Sequence, residues 1–484
     1  MTTSVSPATG VGGRLLVPVL IALELFGGII QGWIIPLVGG IAAHYEVSGG
    51  SVSWVLTVSL LSSAVSVPLF VVIADRYGRK RILVLAVALT AAGSVLIALA
   101  PTFPLLLLGA IIQGPVAVWL PIEMALLKTL RPAAANRVIG YLVGTLTIGV
   151  ALGAVLGGVA MDAIGHLPTV QLLPALGIVA LVAATLAFVP ADRGDARRSV
   201  DVAGAIVLGV ALVGVMFGLS EGTAAGWTSP LTLGPLAIGA LALVGFVFVE
   251  MRARTPLIDV GVIRGGGLIT PLVIAFLVSI ALFGNQTPSV LYLTASPDAV
   301  GYGAGVSAGA VGAVIGLTAL VSSVAAFLSN ALARRLGERT TVALGALIAA
   351  GGFAALATLP QGLALLLVFS AIASAGTGLV TGVLPGIVVQ RAPESSAASV
   401  SGLYNTTRTL AGSLAGAFVA ATLATLVIGD PSAAAPAVPA AAAFQVIWAV
   451  FAVGNVVGAV LALTLRRAPR PASASVPTPQ EVAA

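Results

Sequence analysis

The 484-residue chain is 59% hydrophobic and 8% charged, with a net charge of +6 and no cysteine. Soluble domains carry about 25% charged residues, so this composition excludes a water-soluble globule. The lack of cysteine also excludes a disulfide framework and thiolate chemistry. What remains is an all-α integral membrane protein built from apolar runs long enough to cross a hydrocarbon core of about 30 Å.

In chain order the apolar runs predict helices at 15–41, 52–73, 82–100, 104–127, 138–162 and 170–189. Two more follow at 202–220 and 231–250, then six at 268–293, 303–331, 341–359, 363–389, 399–428 and 442–465. The first run is too long for a signal-peptide core and no small-residue cleavage pattern ends it, so it is expected to be retained. These fourteen transmembrane helices divide into a tail (1–13), a six-helix bundle (14–190), a central pair with its flanks (191–265), a second six-helix bundle (266–466) and a disordered tail (467–484). His44 and His166 are too far apart for a metal-ligand spacing, and no metal site is expected.

The basic residues follow the helices in alternation. Of 22, 21 fall before helix 1 or after helices 2, 4, 6, 8, 10, 12 and 14, and the last, Arg408, lies inside a span. Cytoplasmic loops carry such an excess, which places both termini in the cytoplasm of a multi-pass bacterial cytoplasmic-membrane protein. The positive charge is therefore expected to anchor topology, with no nucleic-acid partner. The heaviest cluster is "ADRYGRKRI", 74–82, with Asp75, Arg76, Gly78, Arg79, Lys80 and Arg81.

That cluster recurs. "ADRYGRKRILVLA" at 74–86 aligns with "ARRLGERTTVALG" at 333–345, after the second helix of each half. Repeated helical halves with a site between them are the usual construction of secondary transporters. "PLFVVIADRYGRKRI" resembles the loop signature of the major facilitator superfamily. "SWVLTVSLL" at 53–61 and "GYLVGTLTIGVALGAVLGG" at 140–158 are similar to elements of its fourteen-span drug/proton antiporter branch. The resemblance implies two six-helix bundles plus a central helix pair, with Asp75 and the following basic residues latching the halves on the cytoplasmic side. The chain departs from the family pattern at Val71, Ala110, Ala154 and Gly27, where the family carries Gly, Arg, Pro and Asp.

Ionisable residues inside spans are costly and functional by default. Glu24 sits about 15 Å past the start of helix 1 at helical rise, and Gly27, Gly28 and Gln31 share or border its face. It reads as a proton carrier or as a structural carboxyl bonded to a neighbouring helix. Glu123 reads as a second proton or cation site, or as an interfacial neighbour of Lys128. Arg408 needs a carboxylate, with Glu123 the expected partner, or else snorkels to the inner surface along Asn405. Gln31, Trp33, Gln113, Trp119, Asn285, Gln286 and Asn405 are candidates for a substrate cavity, with core packing or backbone satisfaction as the bland alternative. Gly153, Gly157 and Gly158, in a row beginning at Gly140 and Gly144, suit close helix packing or a flexible gating helix.

The function these features predict is proton-coupled efflux of lipophilic or amphipathic small molecules, such as an antibiotic, drug or secondary metabolite. An importer or facilitator of a small nutrient on the same scaffold is the alternative. A membrane enzyme or receptor is disfavoured, since no nucleophile–base pair, metal cluster or phosphate loop appears. The expected partners are the substrate, protons and the bilayer; a monomer with no cofactor, driven by the proton gradient, is expected.

Overall fold

The computed structural model describes residues 11–131, 134–192, 202–224, 226, 228–252, 267–359, 362–391, 397–428 and 438–465. The first helices are α1 (Val11–Trp33), α2 (Val38–His44), α3 (Gly49–Tyr77), α4 (Arg79–Leu99) and α5 (Phe103–Gln113). A 3₁₀ segment, Gly114–Val118, leads into α6 (Trp119–Leu130), α7 (Ala135–Ile164) and α8 (Leu167–Phe188). The middle of the chain forms α9 (Val202–Ala224) and α10 (Pro230–Arg252). The rest comprises α11 (Ile269–Gly284), α12 (Gln286–Thr294), α13 (Pro297–Val300), α14 (Ala308–Leu336), α15 (Glu338–Leu356), α16 (Leu363–Gln390), α17 (Ala397–Thr425) and α18 (Ala441–Leu463). A two-residue hairpin, β1 (Val427–Ile428) with β2 (Val438–Pro439), joins the last two helices.

Among the described residues, twelve segments are long and apolar enough to cross a membrane. The other two of the fourteen expected runs are α9 and α17, helices of 23 and 29 residues that fall outside those twelve. Of the expected tails, 467–484 and residues 1–10 of 1–13 lie outside the described residues, and 11–13 open α1.

Three expected spans are interrupted, each next to a proline, which lacks an N–H and clashes with the preceding turn. The first run stops at Trp33, and residues 34–37, around Pro36, are tied by i→i+3 bonds before α2 resumes. The fourth breaks into the 3₁₀ segment at Pro115, where Ser63 Oγ donates to the Gly114 carbonyl (3.1 Å) and Ser62 Oγ to that of Ile111 (2.5 Å). Side chains of α3 thus satisfy backbone groups that lipid could not. The ninth pauses at Asn285, ahead of Pro288. Pro18, Pro174, Pro235 and Pro385, by contrast, are carried inside continuous helices.

The internal repeat is visible in the backbone. Ser48 caps α3 by accepting from Ser51 N–H, and Ser307 caps α14 by accepting from Ala310 N–H. Each cap opens a 29-residue helix that ends at a glycine, Gly78 (φ 104°) or Gly337 (φ 87°), from which the next helix starts at once. Only glycine adopts that φ without strain.

The cores show how the halves meet. At one end a single apolar cluster draws on both halves, including Leu37, Ile41 and Val52 from the first and Tyr292, Phe444 and Trp448 from the second. At the other end there are two clusters. Leu16, Leu20, Ile82 and Leu126 pack within the first half, while Leu268, Val342, Ile387 and Leu465 pack within the second. The cross-half contacts run along α7 with α14 and along α3 with α17. The pair α9–α10 packs on itself and rests, through α9, against α3 and α17, where it borders an apolar crevice of about 560 Å³.

Candidate functional site

The site begins with small residues that let helices close up. A Cβ on Gly28 would run into the α7 backbone at Leu146 and Val150, and one on Gly149 into α1 at Leu25, so α1 and α7 approach at backbone distance. This row continues through Gly153 against Ile29 and Gly157 against Trp33, while Gly158 turns to α14 at Ala308. Close packing thus accounts for Gly153, Gly157 and Gly158. On the other side of α1, Gly27 receives the ring of Trp119.

This approach makes Glu24 of α1 and Glu123 of α6 close electrostatic neighbours. Glu24 is 2% exposed and Glu123 fully buried. Glu24 Oε1 and both Glu123 oxygens have no hydrogen-bond partner of good geometry. A buried carboxylate is stable only when paired or neutralised. Two side by side, with no cation within ion-pair distance among the described residues, repel one another when both are charged.

Arg408 does not pair with Glu123, contrary to the sequence expectation. The register explains why. Gly416 of α17 faces Thr57 of α3 and Gly412 faces Leu60, so Arg408 falls opposite Ala64. Ser62 and Ser63 bond to α5 and the 3₁₀ segment at Ile111 and Gly114, which puts Arg408 level with Pro115. Glu123 lies eight residues further along, about 12 Å at helical rise. The Arg408 guanidinium instead sits over the rings of Phe283 (5.7 Å) and Tyr404 (5.6 Å).

The other candidates do not converge on one cavity. Gln31 is exposed and donates to the Gly27 carbonyl of its own helix (3.0 Å). Gln113 donates to Ser94 Oγ (2.8 Å). With Trp33, Ser94 and Gln171 it lines a small enclosed cavity within the first half. Trp119 is buried against Gly27. Asn285 accepts from Trp448 Nε1 (2.8 Å), Gln286 is half-buried and Asn405 is exposed.

At the loop end, Arg79 pairs with Asp75 (3.1 Å) and donates to the Ala125 carbonyl and Thr129 Oγ1. Lys80 donates to the Leu186 carbonyl (2.8 Å). Arg76 stacks beside Tyr77, and Arg81 is exposed. Two carboxylates were missed by the sequence reading. Asp192 accepts from the N–H groups of Arg79 and Lys80 (2.9 Å each), capping α4. Asp162, at the far end of α7, accepts from Ser307 Oγ (2.7 Å) and Gly309 N–H (2.9 Å) of the other half. The one signal for Asp162 was its place in a span end followed by a loop without basic residues.

Comparison with known proteins agrees with this architecture. The Major Facilitator Superfamily profile matches residues 20–416. The tetracenomycin C resistance and export protein of Streptomyces glaucescens is 26% identical, over 88% of this chain and 79% of its own. The multidrug resistance protein Stp of Mycobacterium tuberculosis is 25% identical, over 79% and 71%. A crystal structure of an auto-inhibited POT family peptide transporter superposes with a TM-score of 0.67 at 15% identity, covering 94% of this chain and 99% of that one. From its repeated halves to its matching profile, this chain belongs to the Major Facilitator Superfamily of membrane transporters.

Proposed function

We propose that the chain exports lipophilic or amphipathic small molecules across the bacterial cytoplasmic membrane, exchanging them for protons by alternating access. The observation that carries this reading is the Glu24–Glu123 pair, buried between helices with no cation within ion-pair distance among the described residues. Two such carboxyls hold one proton between them more readily than none. Losing it leaves a charge whose cost falls when water reaches the site from one side of the membrane. The names of the relatives, a resistance and export protein and a multidrug resistance protein, favour efflux.

In this reading α9 and α17 also cross the bilayer. At helical rise they are about 35 and 44 Å long, enough for a core of about 30 Å. The basic loops then face the cytoplasm. The end where the halves pack separately is cytoplasmic, and the shared core closes the outer end. The bonds of Asp75, Arg79, Lys80 and Asp192 hold the first half together at the inner end, ready to meet the second when that end closes.

The test is drug accumulation in an efflux-deficient host expressing the wild type or Glu24→Gln, across a panel of lipophilic antibiotics, with and without an uncoupler. The proposal expects lower accumulation with the wild type alone, abolished by the uncoupler and by the substitution. Accumulation raised by the wild type would instead identify an importer.

A further inference from the structure

Arg408 is the ionisable group that this transport cycle leaves unused. It lies eleven residues into α17, level with the break at Pro115 and so deep in the span. Leu410, two residues on and about 200° round the helix, packs with Ala64, Leu208 and Phe246 beside the central pair. Arg408 therefore points the opposite way, toward the seam where α3 of the first half meets α11 and α17 of the second. Its neighbours agree. Gly412, one turn on, lies against Leu60 and Phe283, and Asn405, three residues back, is exposed.

The guanidinium lies over two aromatic rings. Phe283 and Tyr404 each place a ring 5.6–5.7 Å from its centre. Ring faces attract the cation but do not supply the oxygen acceptors that its N–H donors need. Its Nε is buried without a hydrogen-bond partner. Among the described residues no carboxylate lies within ion-pair distance of Arg408, and the Glu24–Glu123 pair is engaged with itself about 12 Å along the axis. A cation at this depth is expensive unless an anion meets it. The Nε–Nη edge of an arginine matches a carboxylate in a bidentate fork.

We propose that Arg408 is a binding residue for the anionic group of the transported molecule, so that the favoured cargo is an amphiphile with one carboxylate or similar oxyanion on an apolar, aromatic-sized body. Phe283 and Tyr404 hold the guanidinium beside the seam, and the apolar seam takes the body. This assignment rests on the exporter reading for the word cargo, but anion recognition itself requires only binding.

It is therefore tested without a proton gradient. Purified full-length protein in detergent is titrated with matched fluorescent pairs, 1-pyrenebutyrate and 9-anthracenepropionate against their methyl esters. The wild type is expected to bind at least one acid about tenfold more tightly than its ester. Arg408→Gln is expected to lower acid binding to the level of the ester while leaving ester binding within twofold. Arg408→Lys, which keeps the charge but loses the fork, should fall between. Ester binding serves as the check on folding within each variant. Absence of an acid preference in both wild-type pairs, or an acid preference that survives in Arg408→Gln, overturns the proposal. So does parallel loss of acid and ester binding in both variants, which marks a structural arginine. Failure of proton-driven export in cells leaves these binding outcomes unaffected, so the two readings fail separately.

Discussion

The two ends of the molecule are built from the same helices and packed in opposite ways. Along one face of α7, Ala154 meets Gly312, Gly158 meets Ala308 and Asp162 meets Ser307, all across the seam between halves. Followed toward the loop end, the same stripe reaches Gly144 and Gly140, where an added Cβ would meet nothing within 4 Å among the described residues. One end has a core shared by both halves, the other a core in each. The difference teaches where the stability of this conformation resides. Closure at the shared end rests on backbone-distance packing plus a few polar ties, and those are the contacts that break in the proposed alternating-access cycle.

The strongest way to break the comparison is to lock the shared end. The native chain has no cysteine, so Asp162→Cys with Ser307→Cys introduces a single pair at a contact of 2.7 Å. Oxidation is expected to abolish transport almost completely, and reduction to restore it. A wedge should act next most strongly. Gly158→Val would place its side chain in the α14 backbone, whereas Gly144→Val meets open space. Overpacking costs about 1–3 kcal/mol. Gly158→Val should therefore shift spin-label distances at the shared end toward opening, and Gly144→Val should leave them unchanged.

Smaller effects sharpen the contrast. Asp192→Ala removes the cap of α4 at the loop end, worth about 1 kcal/mol. It should lower the melting temperature by a few degrees without altering label distances at the shared end. Tyr302→Phe deletes the hydroxyl bond to the Pro439 carbonyl (2.6 Å) at that shared end, again about 1 kcal/mol. Since Pro439 packs against Gly49 of the first half, the substitution should change the distance distribution at that end as well as lower the melting temperature by a similar few degrees.

Much of this architecture was legible because membrane helices announce themselves by apolar length and their loops by charge. The repeat was legible too, since Gly78 and Gly337 hold a backbone angle that favours glycine. The interruptions were less so. Pro36, Pro115 and Pro288 adjoin breaks while Pro18, Pro174, Pro235 and Pro385 do not. The outcome at Pro115 depends on Ser62 and Ser63 from another helix, which no local pattern encodes. The buried carboxyls could be picked out individually, but their partnership could not. Glu24 and Glu123 are brought together by the glycine packing of α1, whereas the sequence pointed to Glu123 with Arg408, which helix register separates. Asp192 lay in a polar stretch that read as ordinary loop, and its capping role appears only once α4 is placed.

The claim that the Glu24–Glu123 pair carries the exchanged proton is tested most directly in everted membrane vesicles. Respiration acidifies the vesicle interior, a fluorescent weak base reports the gradient, and a transported antibiotic is then added. The account predicts that antibiotic dissipates the gradient with the wild type and has no effect with Glu24→Gln or Glu123→Gln, each confirmed present in the membrane. Dissipation of wild-type size by both variants would place proton exchange elsewhere in the protein and contradict the account.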